Sequence, residues 1–327
     1  SVLGEATEEG ITSIRSFAEY GFPESHAASF ALLVYASLWI KVHHPAVFLA
    51  ALLNNQPMGF YAPATLVKDA QRHGVRVRAP CVVRSEAKCA VLGDREVRLG
   101  LESVRGLGSQ AAERIVAARR ERPFAGVADV CHRAALDVRR AELLAEAGAF
   151  AALGVTRRQG MWEVRAALAG GGPLAPPPPA GPSPLPELDE IERTLADYAA
   201  TGLTVGPHLV ARMRPQLERL GVTPAAAVLD VPDGRWVRIA GQVIIRQRPG
   251  TAKGMVFVTV EDETGFGNAV IDPRVFQENR VVLLSNPLLL IEGPLQNVDG
   301  VATVKARRFR ALQGPGEEGL PRSRDFH

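Results

Sequence analysis

Residues 101–116 read LESVRGLGSQAAERIV, and this stretch decides how the middle of the chain folds. It predicts a helix, a tight Gly106-Leu107-Gly108 turn and a second helix, because glycine tolerates the positive φ that the reversal requires. Leu107 would fill the gap between the two helices. The N–H groups after Gly108 open the second helix, and a helix N-terminus favours an anion. Backbone phosphate of a nucleic acid is such an anion, so the turn predicts binding that ignores base sequence.

Apolar spacing and positive charge around the turn support this interpretation. Val104, Leu107, Ala112 and Ile115 recur at the spacing that packs two short helices. The alternative is an ordinary αα-hairpin in which the glycines only make the turn. The residues predicted to contact a duplex are Arg105, Gly106, Leu107, Gly108, Ser109, Gln110 and Arg114.

Composition sets the class of protein. The 327 residues are enough for two or three domains, and 46% hydrophobic content supports globular cores. Net charge is only +3, so the local distribution of charge matters more than its sum. No apolar run is long enough to span a bilayer, and residues 27–38 are expected to form a buried helix. Three cysteines without a C-x-x-C pair predict reduced thiols and a cytoplasmic protein.

Changes of pattern divide the chain and indicate a multidomain α+β fold. An all-α first region and tandem helical hairpins are followed by a small OB-type β-barrel, because short alternating strands begin near residue 235. The second hairpin lacks a clean G-x-G and is expected to be structural. The expected boundaries are 1–75 for the first helical region, 76–165 for the hairpin pair, 166–186 for a Pro/Gly-rich linker, 187–230 for a helical connector, 231–312 for the barrel and 313–327 for a flexible tail.

Positive charge gathers on the predicted barrel, in two segments without acidic residues. In the first segment, Arg246, Arg248 and Lys253 are expected on the loop between the first two strands, a loop that commonly faces oligonucleotides in OB folds. Phe257 and Phe309 could stack on unpaired bases. Phe257 could equally be a core residue, whereas the arginines around Phe309 favour stacking over the core alternative. The residues predicted to contact single-stranded DNA are Arg246, Arg248, Lys253, Phe257, Lys305, Arg307, Arg308 and Phe309.

Catalytic signatures are missing from the chain. Asp69, Asp94 and Asp129 are scattered, so no carboxylate pair suggests a two-metal site. No Ser-His-Asp, Walker or Rossmann pattern is present, and no metal-ligand spacing. Ser25-His26 follows a Gly-Phe-Pro turn at a helix start and could face a phosphate, which by itself is a weak signal.

Several segments together resemble one family. Residues 20–32, YGFPESHAASFAL, and 39–48, WIKVHHPAVF, resemble the fingers of the alpha subunit of bacterial DNA polymerase III, a C-family polymerase. Residues 54–75, NNQPMGFYAPATLVKDAQRHGV, resemble its error-prone, damage-tolerant branch. Residues 153–162, LGVTRRQGMW, and the final SRDFH point the same way. The resemblance covers nearly the whole chain, in the family order of fingers, helix-hairpin-helix pair and OB domain.

This resemblance implies a polymerase function whose chemistry lies elsewhere. Family members transfer a nucleotide from a dNTP with Mg²⁺ held by palm-domain aspartates, and nothing in this chain matches those aspartates. The chain alone is therefore expected to be inactive and to bind no cofactor. By resemblance, Ser25 and His26 lie near the phosphates of the incoming nucleotide.

The resemblance also implies partners. Duplex and single-stranded DNA are expected, with dNTP in the full-length enzyme and no membrane. Residues 216–220, QLERL, lack the terminal aromatic residue of a clamp-binding peptide, so direct binding to the sliding clamp is not expected. An accessory Y-family-like protein is expected to make that link, by analogy only. The competing hypotheses are a non-catalytic adaptor that uses the barrel and tail for protein contacts, and an RNA-binding OB module.

Overall fold

A computed structural model describes residues 24–59, 61–169, 181–313 and 323–326. The first described residues form three helices, and proline occupies the first turn of the second and third helices. Proline suits that position because its missing N–H would have no helical acceptor. The second helix buries Leu49 and Ala46 against its neighbours. The helices are α1 (Glu24–His43), α2 (Pro45–Asn54) and α3 (Pro63–Arg72).

Helix α1 is apolar on every side and lies exposed, so the expectation of a buried helix over residues 27–38 is wrong. Leu32 is 69% exposed and Val42 is 67% exposed. Periodicity could not reveal this, because a helix without a polar face has no preferred side. Among the described residues no single helix is long and apolar enough to cross a membrane. Residues 27–43 and 45–54 reach that criterion together, but the two helices are bent by 119°.

A small three-stranded sheet links these helices to the hairpins. Its strands are β1 (Arg76–Arg78), β2 (Ala90–Gly93) and β3 (Glu96–Arg98), in the order β1-β3-β2. Strands β1 and β3 run parallel and bring Val77 opposite Val97, both buried. The sheet matches the short strand-like segments expected after residue 75.

The hairpin region follows as a compact helical unit. The first partner of the Gly-Leu-Gly turn is only one 3₁₀ turn, Leu101–Ser103, shorter than the predicted helix. Leu107, Ile115, Leu144 and Phe150 share one apolar core. The helices are α4 (Ser109–Glu121), α5 (Val127–Arg133), α6 (Val138–Glu146) and α7 (Arg157–Leu168).

Two further helices, α8 (Glu190–Thr201) and α9 (Leu209–Arg219), connect the hairpins to the barrel. Asp189 and Glu192 form a capping box at the start of α8, which satisfies backbone donors on both sides of the cap. Leu217 of α9 belongs to the same apolar cluster as Leu290 of the barrel. The helical connector is therefore packed onto the barrel.

The last part of the chain forms strands β4 (Trp236–Gln247), β5 (Val256–Glu261), β6 (Phe266–Ile271), β7 (Leu288–Val298), β8 (Val301–Ala306), β9 (Arg308–Ala311) and β10 (Arg324–Phe326). Five of these strands close a barrel in the ring β4-β5-β6-β8-β7, with β7 pairing back to β4. Strands β6 and β8 are parallel and the other neighbours in the ring are antiparallel. Two short helices, α10 (Pro273–Glu278) and α11 (Arg280–Ser285), separate β6 from β7. This arrangement is the predicted OB type.

Acidic residues in and after the end of β5 hold the barrel against the helices. Glu261 pairs with Arg72 of α3, and Arg214 of α9 donates to Asp262 at 2.9 Å. Burial raises the pKa of Glu261 to about 7, although the Arg72 guanidinium acts in the opposite direction. Burial also lowers the pKa of the nearby Lys68 to about 8. Barrel, connector and first helices thus meet at a buried polar junction.

Candidate nucleic-acid interface

The Gly106-Leu107-Gly108 turn has the geometry that its sequence predicts. Gly106 and Gly108 have φ values of +81° and +80°, a left-handed region that favours glycine. Leu107 is 1% exposed and its N–H donates to the carbonyl of Val104 at 3.2 Å. The leucine therefore fixes the turn from below while the glycines stay at the surface.

Helix α4 starts at the surface beside this turn. Gly108, Ser109 and Gln110 are exposed, and no side chain in the described part of the chain caps the helix. The first N–H groups of a helix have no helical acceptor, and the helix dipole adds partial positive charge there. With its 13 residues, α4 can hold an anion at this end.

The two arginines predicted beside the turn are held by intramolecular contacts. Arg105 donates from Nη1 to the carbonyl of Tyr198 at 3.3 Å and lies against Gly202. Arg114 is half-buried, and its Nε donates to the carbonyl of Ala134 at 2.8 Å. Arg114 thus caps the end of α5, and its contact with a duplex stays a prediction.

Sequence reasoning missed two other cations beside the turn. Arg139 and Arg140, in the first turn of α6, are exposed. Nε of Arg140 donates to the carbonyl of Leu107 at 3.3 Å, so this end of α6 lies against the turn. The hydrogen bond from the Arg140 N–H lowers the pKa of Asp137, which keeps the α6 cap ionised. Only the fold brings residues more than thirty positions apart together, so no local signal could have revealed them.

The second hairpin presents no comparable free end. Gly148 has a φ of +70° in its turn, but the next helix, α7, is capped by the hydroxyl of Thr156. Arg157 pairs with Asp197 of α8, and Arg158 donates to the carbonyl of Pro186. This covering by the connector supports a structural role for the second hairpin.

A separate row of side chains crosses the outer face of the barrel. Register places Gln247 opposite Phe257, Phe257 opposite Val270, and Val270 opposite Lys305. Directly opposed residues share a face, so the partly exposed Phe257 ring and the Lys305 ammonium lie on the same side. Lys253 and Arg248 are exposed on the loop that leads into β5. We call this set the β5 face: Gln247, Arg248, Lys253, Phe257, Val270 and Lys305.

Other predicted single-strand contacts lie elsewhere. Arg246 is in strand β4 and its side chain is 8% exposed, so its prediction as a loop cation is wrong. Phe309 is partly buried and packs against the barrel core, which agrees with the core alternative, and its stacking on a base stays a prediction. Arg308 lies 5.7 Å from the ring centroid of Trp236, and Arg307 precedes it. Arg308 of β9 lies opposite Glu292 of β7, which in turn lies opposite Arg238 of β4. This side of the barrel is separate from the β5 face.

Ser25 and His26 lie in the first turn of α1, but their side chains are outside the described residues. Over residues 24–59, 61–169, 181–313 and 323–326, no group of three or more His, Cys, Asp or Glu side chains is arranged to hold a metal ion.

Comparison with known proteins shows what the chain is similar to. A helix-hairpin-helix family model matches residues 74–160. The error-prone DNA polymerase of Azoarcus sp. (strain BH72) is 48% identical over 96% of this chain and 30% of that protein. The error-prone DNA polymerase of Burkholderia pseudomallei is 46% identical over 99% of this chain and 31% of its own length.

One similar solved structure matches about a quarter of the chain. An asparaginyl-tRNA synthetase from Pyrococcus horikoshii matches 26% of this chain and 21% of its own, with 25% identity and a TM-score of 0.22. The curated relatives are matched along nearly all of the present sequence, which spans about 30% of their length. The chain is therefore a homologue, over almost its full length, of one segment of the error-prone DNA polymerases.

Proposed function

We propose that this chain is the DNA-binding C-terminal portion of an error-prone DNA-directed DNA polymerase that acts in DNA repair and translesion synthesis. The names of the relatives and the helix-hairpin-helix match support this proposal. Nucleotidyl transfer requires Mg²⁺ and carboxylates that the sequence does not match, so we assign it to another part of the polymerase. The chain alone should bind DNA without extending a primer.

One observation carries the duplex-binding part of the proposal, which is the exposed and uncapped start of α4. Gly108 leaves space for close approach, since an added Cβ there would meet no atom within 4 Å. The N–H groups after it can donate to a phosphate of the primer–template backbone. Arg139 and Arg140 supply positive charge next to the same turn. A contact of this kind positions the duplex without reading its bases.

The β5 face would receive single-stranded template as it leaves the duplex. An aromatic ring on a sheet can stack on an unpaired base, and the flexible cations beside it can bind the phosphates of the single strand. In the full-length enzyme, Ser25 and His26 would face the phosphates of the incoming dNTP. An accessory Y-family-like protein would connect the polymerase to the sliding clamp.

Ser109→Glu tests the duplex contact. A carboxylate at the first position of α4 interacts favourably with the helix dipole, so the fold should be retained. The same carboxylate repels a phosphate at that point. We expect duplex affinity, measured by fluorescence anisotropy on a primer–template, to fall about tenfold, equivalent to about 1.4 kcal/mol.

Two controls make the experiment specific. Ser109→Gln adds similar bulk without charge and should bind nearly as well as wild type. Ala152→Glu adds the same charge to an exposed position in the second hairpin and should have little effect. Equal affinities for Ser109→Glu and wild type would contradict the proposed contact. Absence of salt-dependent DNA binding in wild type would instead favour the adaptor hypothesis.

A further inference from the structure

A basic cavity opens at one end of the barrel, beside the β5 face. It has a volume of about 320 Å³ and is bounded by β4, β5, helices α10 and α11, and the C-terminal strand β10. Val256, Phe276 and Leu284 form an apolar wall. Its polar lining consists of Arg246, Gln247, Arg248, Gln277, Arg280 and Asp325.

Positive charge dominates this cavity, with three guanidinium groups against one carboxylate. Arg248 lies over Phe276, 5.9 Å from the ring centroid, which orients it along the cavity wall. Arg280 is exposed at the start of α11 and makes no ion pair with any described residue. Two of the three cations are thus available to an anion that enters from solvent.

Arg246 is the third cation, and the tail covers it. Its side chain is more than nine-tenths buried, and Nη2 donates to the carbonyl of Asn286 at 3.0 Å. Nη1 contacts Ser323 and lies 3.3 Å from Oδ1 of Asp325, while Ser323 donates to the same carboxylate at 2.8 Å. The buried Nε has no hydrogen-bond partner among the described residues. The guanidinium is therefore incompletely satisfied by the tail.

Strand β10 delivers this carboxylate from outside the closed barrel. It pairs in parallel with the end of β4, with Asp325 opposite Arg246 and residue 326 opposite Gln247. Gln247 begins the row that leads to Phe257 and Lys305. Successive side chains of a strand point to opposite faces, so Arg246 and Asp325 lie on the other side of the sheet from this row. Gln247 and Arg248 of the β5 face nevertheless line the same cavity as Arg246 and Asp325. A single strand that follows the β5 face past Gln247 and Arg248 would bring a phosphate to the place that the Asp325 carboxylate occupies.

We infer that Arg246, Arg248 and Arg280 form a phosphate-binding pocket for single-stranded DNA, in which Asp325 of the tail occupies the phosphate position when DNA is absent. A guanidinium binds carboxylate and phosphate with the same fork of donors, so one can replace the other. This inference rests on the proposed single-strand binding of the β5 face. The phosphate could be internal to the strand or a 5′-terminal one.

Asp325→Asn in the full chain tests the pocket, with a 3′-labelled dT oligonucleotide of about 20 nucleotides that carries either a 5′-hydroxyl or a 5′-phosphate. Removing the competing carboxylate should raise affinity about fivefold, the size of one partly exposed charge pair. The slope of log K against log salt should steepen by about 0.7, as for one additional phosphate on a single strand. A gain with both oligonucleotides indicates an internal phosphate, and a gain with only the 5′-phosphate indicates a terminal one.

Three companion variants separate this inference from the proposed function. Arg280→Gln, at an exposed position, should lower affinity and cancel the gain when combined with Asp325→Asn. Asp230→Asn removes an exposed carboxylate from the segment just before the barrel and should change neither affinity nor slope. If Phe257→Ala weakens binding but Asp325→Asn leaves affinity and slope unchanged, the pocket is refuted and single-strand binding stands. If wild type and every variant fail to bind the oligonucleotide, single-strand binding by the barrel is refuted together with the pocket.

Discussion

At the scale of single residues, Phe257 is the most direct probe of the β5 face. Stacking of a base on an aromatic side chain contributes about 1–3 kcal/mol. Phe257→Ala should therefore lower affinity for single-stranded DNA by about fivefold or more, as measured by anisotropy titration. Trp236→Ala is the matched control. Trp236 of β4 is also exposed, but it lies under Arg308 of β9 and away from the β5 face. Equal losses in both variants would argue against a specific stacking position.

His208 makes folding depend on pH in a defined direction. It is 4% exposed, it accepts a hydrogen bond from the Val210 N–H at 3.2 Å, and burial lowers its pKa to about 3. The neighbouring Lys68 and Arg72 also lower this pKa, whereas Asp262 opposes them. Between about pH 3 and pH 6.5 the unfolded chain carries a proton that the folded chain excludes. The contribution of His208 to stability is therefore complete above pH 6.5 and is lost as pH falls through this window.

His208→Asn keeps a capping side chain without the titration. When the pH is lowered from about 7.5 to about 5, the unfolding free energy of wild type should fall by about 2 kcal/mol more than that of the variant. Glu261, whose pKa is raised to about 7, acts in the opposite direction, since its protonation favours the folded state as pH falls below 7. That contribution is common to both proteins, so their difference in urea unfolding isolates His208. Parallel pH profiles would contradict a buried neutral imidazole.

At the scale of elements, helix α1 determines how the chain behaves in solution. Its exposed apolar residues include Leu32, Tyr35 and Val42, each about two-thirds exposed. Exposed apolar surface of this extent favours association in water. Light scattering should show concentration-dependent association that replacement of these three residues by lysine reduces. Val281→Lys, at an exposed position of the short helix α11, should not reduce it.

The elements also show what could be predicted from the sequence. Gly106 and Gly108 predicted the tight turn because positive φ is a local property. Alternation of apolar and polar residues predicted the barrel strands, because this pattern too can be recognised within a short segment. Arg114 and Arg246 were assigned to surfaces from local charge, but each reaches a carbonyl or carboxylate contributed by a distant segment. Arg139 and Arg140 escaped notice because their proximity to the turn exists only in three dimensions.

At the scale of the whole molecule, a buried ionic junction couples the barrel to the connector. Arg214 donates to Asp262 and Glu263, each at 2.9 Å, and Asp262 is 2% exposed. Arg214→Met should destabilise the protein by about 3–5 kcal/mol, because it leaves a buried carboxylate without its cation. Calorimetry should then resolve separate transitions for the barrel and the helical part. Arg165→Met, at the exposed pair with Glu142, should cost at most about 1 kcal/mol.

In the proposed function the first hairpin, and not the second, holds the duplex. Photo-crosslinking distinguishes the two hairpins, with a photoreactive amino acid at Gln110 beside the Gly-Leu-Gly turn or at Ala152 in the second hairpin. Both positions are exposed, so accessibility does not decide the outcome. We expect a primer–template duplex to crosslink efficiently at position 110 and weakly at position 152, whatever the duplex sequence. Stronger crosslinking at position 152, or equal yields at both, would contradict it.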